Sequence, residues 1–123
     1  MSAMIRFGSV SLDCPNHRIL AEFYARLLGV DILYDAENVS ALRLGEAWLL
    51  TQQVDDYRSP TWPDPTSPQQ LHLDFATNDL DAAEAAAIAA GARKAEFQPN
   101  PDGWRVMLDP VGHPFCLNSL IPE

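Results

Sequence analysis

Apolar and polar residues alternate from Ile5 to Asp13, setting Phe7, Ser9, Ser11 and Asp13 on one side of a predicted strand and Gly8, Val10, Leu12 and Cys14 on the other. Pro15 ends that strand, because it has no N–H for a ladder. From Asn16 the period changes. Ile19, Leu20, Phe23, Tyr24, Leu27 and Leu28 recur at three and four residues, which predicts a helix of about three turns capped by Asn16 and terminated by Gly29. Three β-type runs follow, Val30–Tyr34, Val39–Leu44 and Ala47–Val54, divided by Asp35-Ala36-Glu37-Asn38 and by Gly45-Glu46. The stretch 55–70 then carries Pro60, Pro63, Pro65 and Pro68, which resist both helix and central strand. It reads as a linker, and Trp62 within it is expected either to pin it across the surface or to stand exposed.

The second half repeats the first. Leu71–Ala76 reads as a strand, Asp79–Ala90 as an alanine-rich helix stopped by Gly91, and Lys94–Gln98, Trp104–Leu108 and Pro114–Ser119 as strands. Aligning Ser9-Val10-Ser11-Leu12 with His72-Leu73-Asp74-Phe75 sets Gly29 near Gly91 and Gly45 near Gly112, an internal duplication offset by about 62 to 67 residues. The expected organisation is one domain, 1–123, with a βαβββ module over about 5–54, the linker 55–70 and a second βαβββ module over about 71–120. Asp102-Gly103 and Asp109-Pro110-Val111-Gly112 read as hairpin turns, and Asp109 as a turn residue rather than a catalytic acid.

Composition narrows the function classes. Eight Lys+Arg, Lys94 the sole lysine, against seventeen Asp+Glu give a net charge of −9, which argues against binding nucleic-acid phosphates or an anionic membrane surface. No apolar run approaches the roughly 18 residues of a membrane span, and the first ten residues lack a secretory pattern. A cytoplasmic protein is expected. Cys14 and Cys116 fit no disulfide framework and no CxxC pattern.

The segment Leu20-Ala21-Glu22-Phe23-Tyr24-Ala25-Arg26-Leu27-Leu28-Gly29 and the closing Leu108-Asp109-Pro110-Val111-Gly112-His113-Pro114-Phe115-Cys116-Leu117 occupy matching places in the two modules. Together they resemble the vicinal oxygen chelate (VOC) superfamily of glyoxalases, bleomycin-resistance proteins and extradiol dioxygenases. Within it, Leu12-Asp13-Cys14-Pro15 and Phe115-Cys116-Leu117 are similar to the glyoxalase-like branch. The resemblance implies an α+β fold in which the modules form a cupped mixed sheet around a cavity, and a homodimer. It also implies metal ligands on the first and last strands of each module, which fall on Ser9, Leu49 or Thr51, His72 and Cys116. This set departs from the family's His, Gln and Glu.

The residues keep several chemistries open. His72 and Asp74, two apart on a strand, share a face, so His72 reads as a cavity residue: a metal ligand, a general base, a hydrogen-bonding group or a structural histidine. Cys116 reads as a buried small hydrophobe, with a His72-activated thiolate as the alternative. Trp48, Trp104, Phe97 and Met107 would line a pocket or fill the core. His17 and His113, at a helix start and a hairpin tip, are expected to be exposed. The expected cavity set is Ser9, Leu49, Thr51, His72, Asp74, Trp104 and Cys116, with His72 the one metal candidate. The favoured function is binding of a small molecule without a cofactor, a cationic guest among the options. The alternative is a lyase, isomerase or dioxygenase using zinc, nickel, manganese or iron on a substrate with vicinal oxygens.

Overall fold

A computed structural model describes residues 4–122. The elements run β1 (Ser9–Cys14), α1 (His17–Leu28), β2 (Ile32–Asp35), β3 (Val39–Leu44), β4 (Ala47–Gln53), β5 (Leu73–Ala76), α2 (Leu80–Ala90), β6 (Arg93–Lys94), β7 (Trp104–Leu108) and β8 (Pro114–Asn118). The chain divides into two compact units between Tyr57 and Arg58. Each is a four-stranded mixed sheet with one helix, ordered β1-β4-β3-β2 and β5-β8-β7-β6. In each, the first strand pairs in parallel with the last, and the other pairs are antiparallel. This is the duplicated βαβββ order, in an α+β fold.

In the first unit, the Asn16 side chain accepts from the Arg18 and Ile19 amides, and Gly29 closes α1 in the left-handed region at φ 66°. Leu20, Phe23 and Tyr24 of α1 are fully buried, the last two edge to face at 4.8 Å. They lie over Leu12, Leu42 and Leu49. Burial of each such side chain contributes on the order of 1.5–3 kcal/mol.

The second unit is built differently on the same plan. Asp79 caps α2 through the Ala82 amide, but α2 buries only Ala87 and Ala90. Bulk comes from the strands instead, with Met107 and Phe115 fully buried and Phe75 stacked edge-on to Phe115 at 5.8 Å. Arg105 fastens α2 to β7 through Asp81 at 3.0 Å and Glu84 at 3.1 Å, and Lys94 reaches Glu84 at 3.1 Å. Burial alone would raise the Glu84 carboxyl, but the hydrogen bonds from Lys94 and Arg105 outweigh it and hold the group below its usual range.

The predicted strand Lys94–Gln98 is cut to Arg93–Lys94. The Gln98 side chain takes over the missing rungs, accepting from the Val106 amide at 2.9 Å and donating to the Val106 and Ala95 carbonyls at 2.8 Å each. The expected strand from Ile5 likewise begins only at Ser9, since Ser9 is the first residue in register with β4.

The proline-rich stretch is a strap on the second unit from Arg58 onward. Thr61 and Ser67 hold its loop, the Thr61 amide donating to the Ser67 carbonyl and the Ser67 amide to Thr61 Oγ1 at 2.9 Å. A side chain at Gly112 would strike Ser59 Cβ at 3.0 Å, so the strap passes directly over the β7–β8 turn. Trp62 packs on Ala95, Val106 and Cys116 and lies 5.7 Å from Phe97. The tryptophan therefore pins the strap. Among the described residues no helix is long and apolar enough to cross a membrane.

Candidate functional site

Alternation along β5, β7 and β8 sorts the second unit into two faces. Phe75, Phe115, Met107 and Arg105 face α2; Asp74, Cys116, Val106, Trp104 and Asn118 take the other side, aligned by the pairs Asp74↔Cys116, Val106↔Cys116 and Trp104↔Asn118. On that second face, under Trp62 of the strap, lies a cavity of about 290 Å³. Trp62, Trp104, Val106, Pro99 and Pro114 give it apolar walls, and His72, Asp74, Cys116, Gln69 and Asn118 give it polar atoms.

His72 immediately precedes β5 and sets Nε2 3.4 Å from Asp74 Oδ2, both side chains partly open to solvent. Cys116 is buried. Donor atoms of these three side chains lie within 4.8 Å of one another. Burial, reinforced by the charge and hydrogen bond of Asp74, pushes the Cys116 thiol up to about 11. The activated-thiolate alternative therefore has the wrong sign, because the carboxylate facing the sulfur disfavours the anion.

Of the expected cavity residues, His72, Asp74, Trp104 and Cys116 come together in this one module. Ser9 is exposed on the first unit. Leu49 and Thr51 face the wrong way for the expected set. The register Ser9↔Trp48 and Val10↔Leu49 puts Trp48, Leu50 and Gln52 on the face of Ser9, and turns Leu49 and Thr51 inward. Both are buried in the core, and the Thr51 hydroxyl donates to the His17 carbonyl at 2.7 Å. On the face of Ser9, the Arg43 guanidinium covers Trp48 at 5.1 Å. Met107 belongs to the core, and Phe97 is half exposed beside Trp62. Val106, Pro114 and Asn118 were not expected in the cavity, although stepping by two from Trp104 and Cys116 reaches all three. Gln69 and Pro99 left no such signal.

Two histidines depart from expectation. His17 is buried because Nδ1 lies 2.8 Å from Ser40 Oγ, while the Ser40 hydroxyl donates to Asp35 Oδ1 at 2.7 Å. The Ser40 hydrogen bond, opposed by partial desolvation and aided by Arg18, lowers the Asp35 carboxyl below its usual range. Although Ser, His and Asp meet here, Ser40 is fully buried and its proton is committed to Asp35, so the trio fastens α1 to β2 and β3. His113 is buried within the β7–β8 turn, where Asp109 Oδ1 accepts from the Val111 and His113 amides at 3.0 and 2.9 Å. Asp109 is the turn residue expected.

Paired βαβββ units with a donor cluster on the face away from the helix define the class of glyoxalases, bleomycin-resistance proteins and dioxygenases. A model of the glyoxalase-like domain matches residues 9–118, and the chain belongs to that family, within the VOC superfamily. A glyoxalase/bleomycin resistance protein/dioxygenase family enzyme from Burkholderia phytofirmans superposes with a TM-score of 0.73 at 17% identity, over 93% of this chain and 98% of that one. A glyoxalase-related enzyme from Fulvimarina pelagi gives 0.69 at 16%, over 93% and 87%. A lactoylglutathione lyase from Agrobacterium tumefaciens gives 0.65 at 16%, over 94% and 93%. At these identities the likeness establishes the fold. No curated protein matches the chain.

Members of this family often bind a divalent metal. In the first unit, the face of Ser9 carries Ser9, Ser11 and Asp13 of β1 beside Trp48, Leu50 and Gln52 of β4, with no imidazole among them. The second offers an imidazole, a carboxylate and a thiol close enough to converge on one ion. The chain thus fits an ion held by three donors of one module, with sulfur among them.

Proposed function

We propose that the cavity of the second module binds a small molecule, with an apolar or aromatic body against Trp62 and Trp104 and a polar group toward His72 and Asp74. The observation that carries this reading is the cavity itself: apolar walls with polar atoms confined to a few positions are what orient a ligand in a pocket. Glyoxalase-like proteins bind small molecules, and Asp74 adds a reason to favour cationic or hydrogen-bond-donating ligands. A thermal-shift screen of cationic and aromatic compounds, followed by tryptophan fluorescence titration, tests it. Binding should be lost in Trp104→Ala and kept in Trp48→Ala, which lies in the first module. Hits indifferent to Trp104→Ala would overturn the assignment.

A second reading, metal-dependent chemistry on a substrate with vicinal oxygens, is favoured by the convergence of His72, Asp74 and Cys116. The three side chains would hold the ion, which when bound supplies Lewis acidity to the substrate oxygens. The cavity walls would orient the substrate and exclude water. Turnover of hemithioacetal and catechol substrates, with and without added divalent ions, tests this reading. Absence of turnover with every ion would leave the binding reading alone.

The proposal extends to a homodimer. Strand β2 is an edge strand with Leu33 and Tyr34 exposed, a surface that association would cover. Sedimentation velocity at micromolar concentration checks it, and a monomer would contradict it.

A further inference from the structure

We infer that the proline-rich strap is a lid on the cavity of the second module: the loop Thr61–Ser67 lifts as one piece, withdrawing Trp62 from Val106 and Cys116 and opening the cavity to solvent and ligand. The inference rests on the reading of this cavity as a small-molecule site and adds what controls entry to it. It needs neither an ion nor turnover.

The loop is tied to itself. Its hub is the Thr61 hydroxyl, which accepts from the Ser67 amide at 2.9 Å and shares its proton between the Asp64 and Ser67 carbonyls at 3.0 and 3.1 Å. The Asp64 amide donates to the Thr61 carbonyl at 2.8 Å, and Asp64 Oδ1 accepts from the Thr66 amide at 2.7 Å. Pro63 and Pro65 fix φ within the loop and leave it few conformations to lose. Its hold on the sheet is much weaker. Among the described residues, the hydrogen bonds of 58–70 run within the strap. Pro63, Asp64, Pro65 and Thr66 are exposed, and the loop stands on Trp62, packed against Ala95, Val106 and Cys116. Ser59, seated against Gly112, marks the end from which the loop swings. That single ring lies where closure matters. Trp62 and Gln69 are the walls the strap supplies to the cavity, whereas Trp104, Val106, Cys116 and Asn118 belong to β7 and β8. Segments with few buried contacts open at far less cost than global unfolding, and the loops that gate binding sites are drawn from them. A stiff loop on one aromatic anchor is such a segment.

Cys116 reports the opening without any ligand, because it is buried against Trp62. Iodoacetamide labelling of the native full chain, followed by peptide mapping, compares it with Cys14, which is buried in the first unit. Where labelling is slow relative to reclosing, each rate tracks the population of the open form. Between zero and about 1 M urea, Cys116 labelling should hardly change while that of Cys14 climbs steeply, since lifting a loop exposes little surface and unfolding exposes much. Trp62→Ala removes the anchor and should speed Cys116 labelling roughly tenfold or more, with Cys14 unchanged. Thr61→Val unties the loop and leaves the indole in place. It should also speed Cys116 labelling, because an untied loop loses more freedom when Trp62 docks, whereas a ring that merely covered the thiol would be indifferent to it. Cys116 labelling that rises with urea in step with Cys14, or that is unchanged in Trp62→Ala or in Thr61→Val, would each overturn the lid. The urea series on the parent chain needs no variant, so it decides the matter even where a variant misfolds. A cavity that takes no compound would remove the binding reading and leave the labelling result standing, so the two fail separately.

Discussion

The two modules share one topology and differ in which face carries their bulk and their chemistry. In the first, α1 drives Leu20, Phe23 and Tyr24 into the sheet, and the face of Ser9 bears hydroxyls and an Arg43–Trp48 stack. In the second, α2 contributes alanines, the strands supply Phe75, Met107 and Phe115, and the face away from the helix gathers His72, Asp74 and Cys116 beneath a tryptophan strap. The contrast teaches that a duplicated fold can divide its work: one copy invests its side chains in a helix-side core, while the other holds its helix by ion pairs and strand residues and concentrates donors on the opposite face.

Truncations should expose that division most strongly. Phe23→Ala removes a fully buried ring from α1 and is expected to cost about 3–5 kcal/mol, read as a fall in urea midpoint at constant slope. Ile88→Ala, on the half-exposed side of α2, should change stability by no more than about 0.5 kcal/mol. Comparable losses at both positions would erase the difference between the helices.

A smaller effect tests the register. Thr51→Val leaves the His17 carbonyl without its buried hydroxyl donor and should cost about 1–3 kcal/mol. Were Thr51 instead a cavity residue, the change would alter ligand binding and leave stability nearly intact.

The donor face can be probed by alkylation. With its pKa at about 11, Cys116 holds roughly a thousandth of its thiol as thiolate at pH 8, so iodoacetamide should modify it far more slowly than a cysteine in unfolded chain. Asp74→Asn removes the facing charge and should speed modification, followed by peptide mapping to separate Cys116 from Cys14. An unchanged rate would mean that burial alone sets the thiol.

The mildest effect concerns acid. The Glu84 carboxyl is depressed in the folded chain, so the ionised form stabilises the fold above its unfolded pKa, and that contribution is lost as pH falls through the folded value. Acid unfolding of Glu84→Gln should therefore depend less on pH in that window than that of the parent chain. An identical profile would show that the Arg105 and Lys94 pairs contribute nothing measurable.

Much of this architecture was readable from local pattern. The spans Val39–Leu44 and Trp104–Leu108 match β3 and β7 residue for residue, and the Asn16 cap acts through bonds that never leave its own neighbourhood. His17 and His113 were misplaced because a helix start and a hairpin tip are usually wet. Here Ser40 and Asp35, more than fifteen residues from His17, draw its imidazole inward, while Asp109 and the strap close around the turn of His113.

What the sequence by itself determined is the element order, the duplication and the two sides of each strand, since periodicity and capping depend on residues a few positions apart. Only the tertiary structure decided which sides meet. A one-residue shift in strand pairing exchanges the faces, and the register Ser9↔Trp48 sends Leu49 and Thr51 into the core. The same kind of long-range pairing sets Asp74 opposite Cys116 and lays Trp62 over both sheet and cavity, contacts that no local pattern encodes.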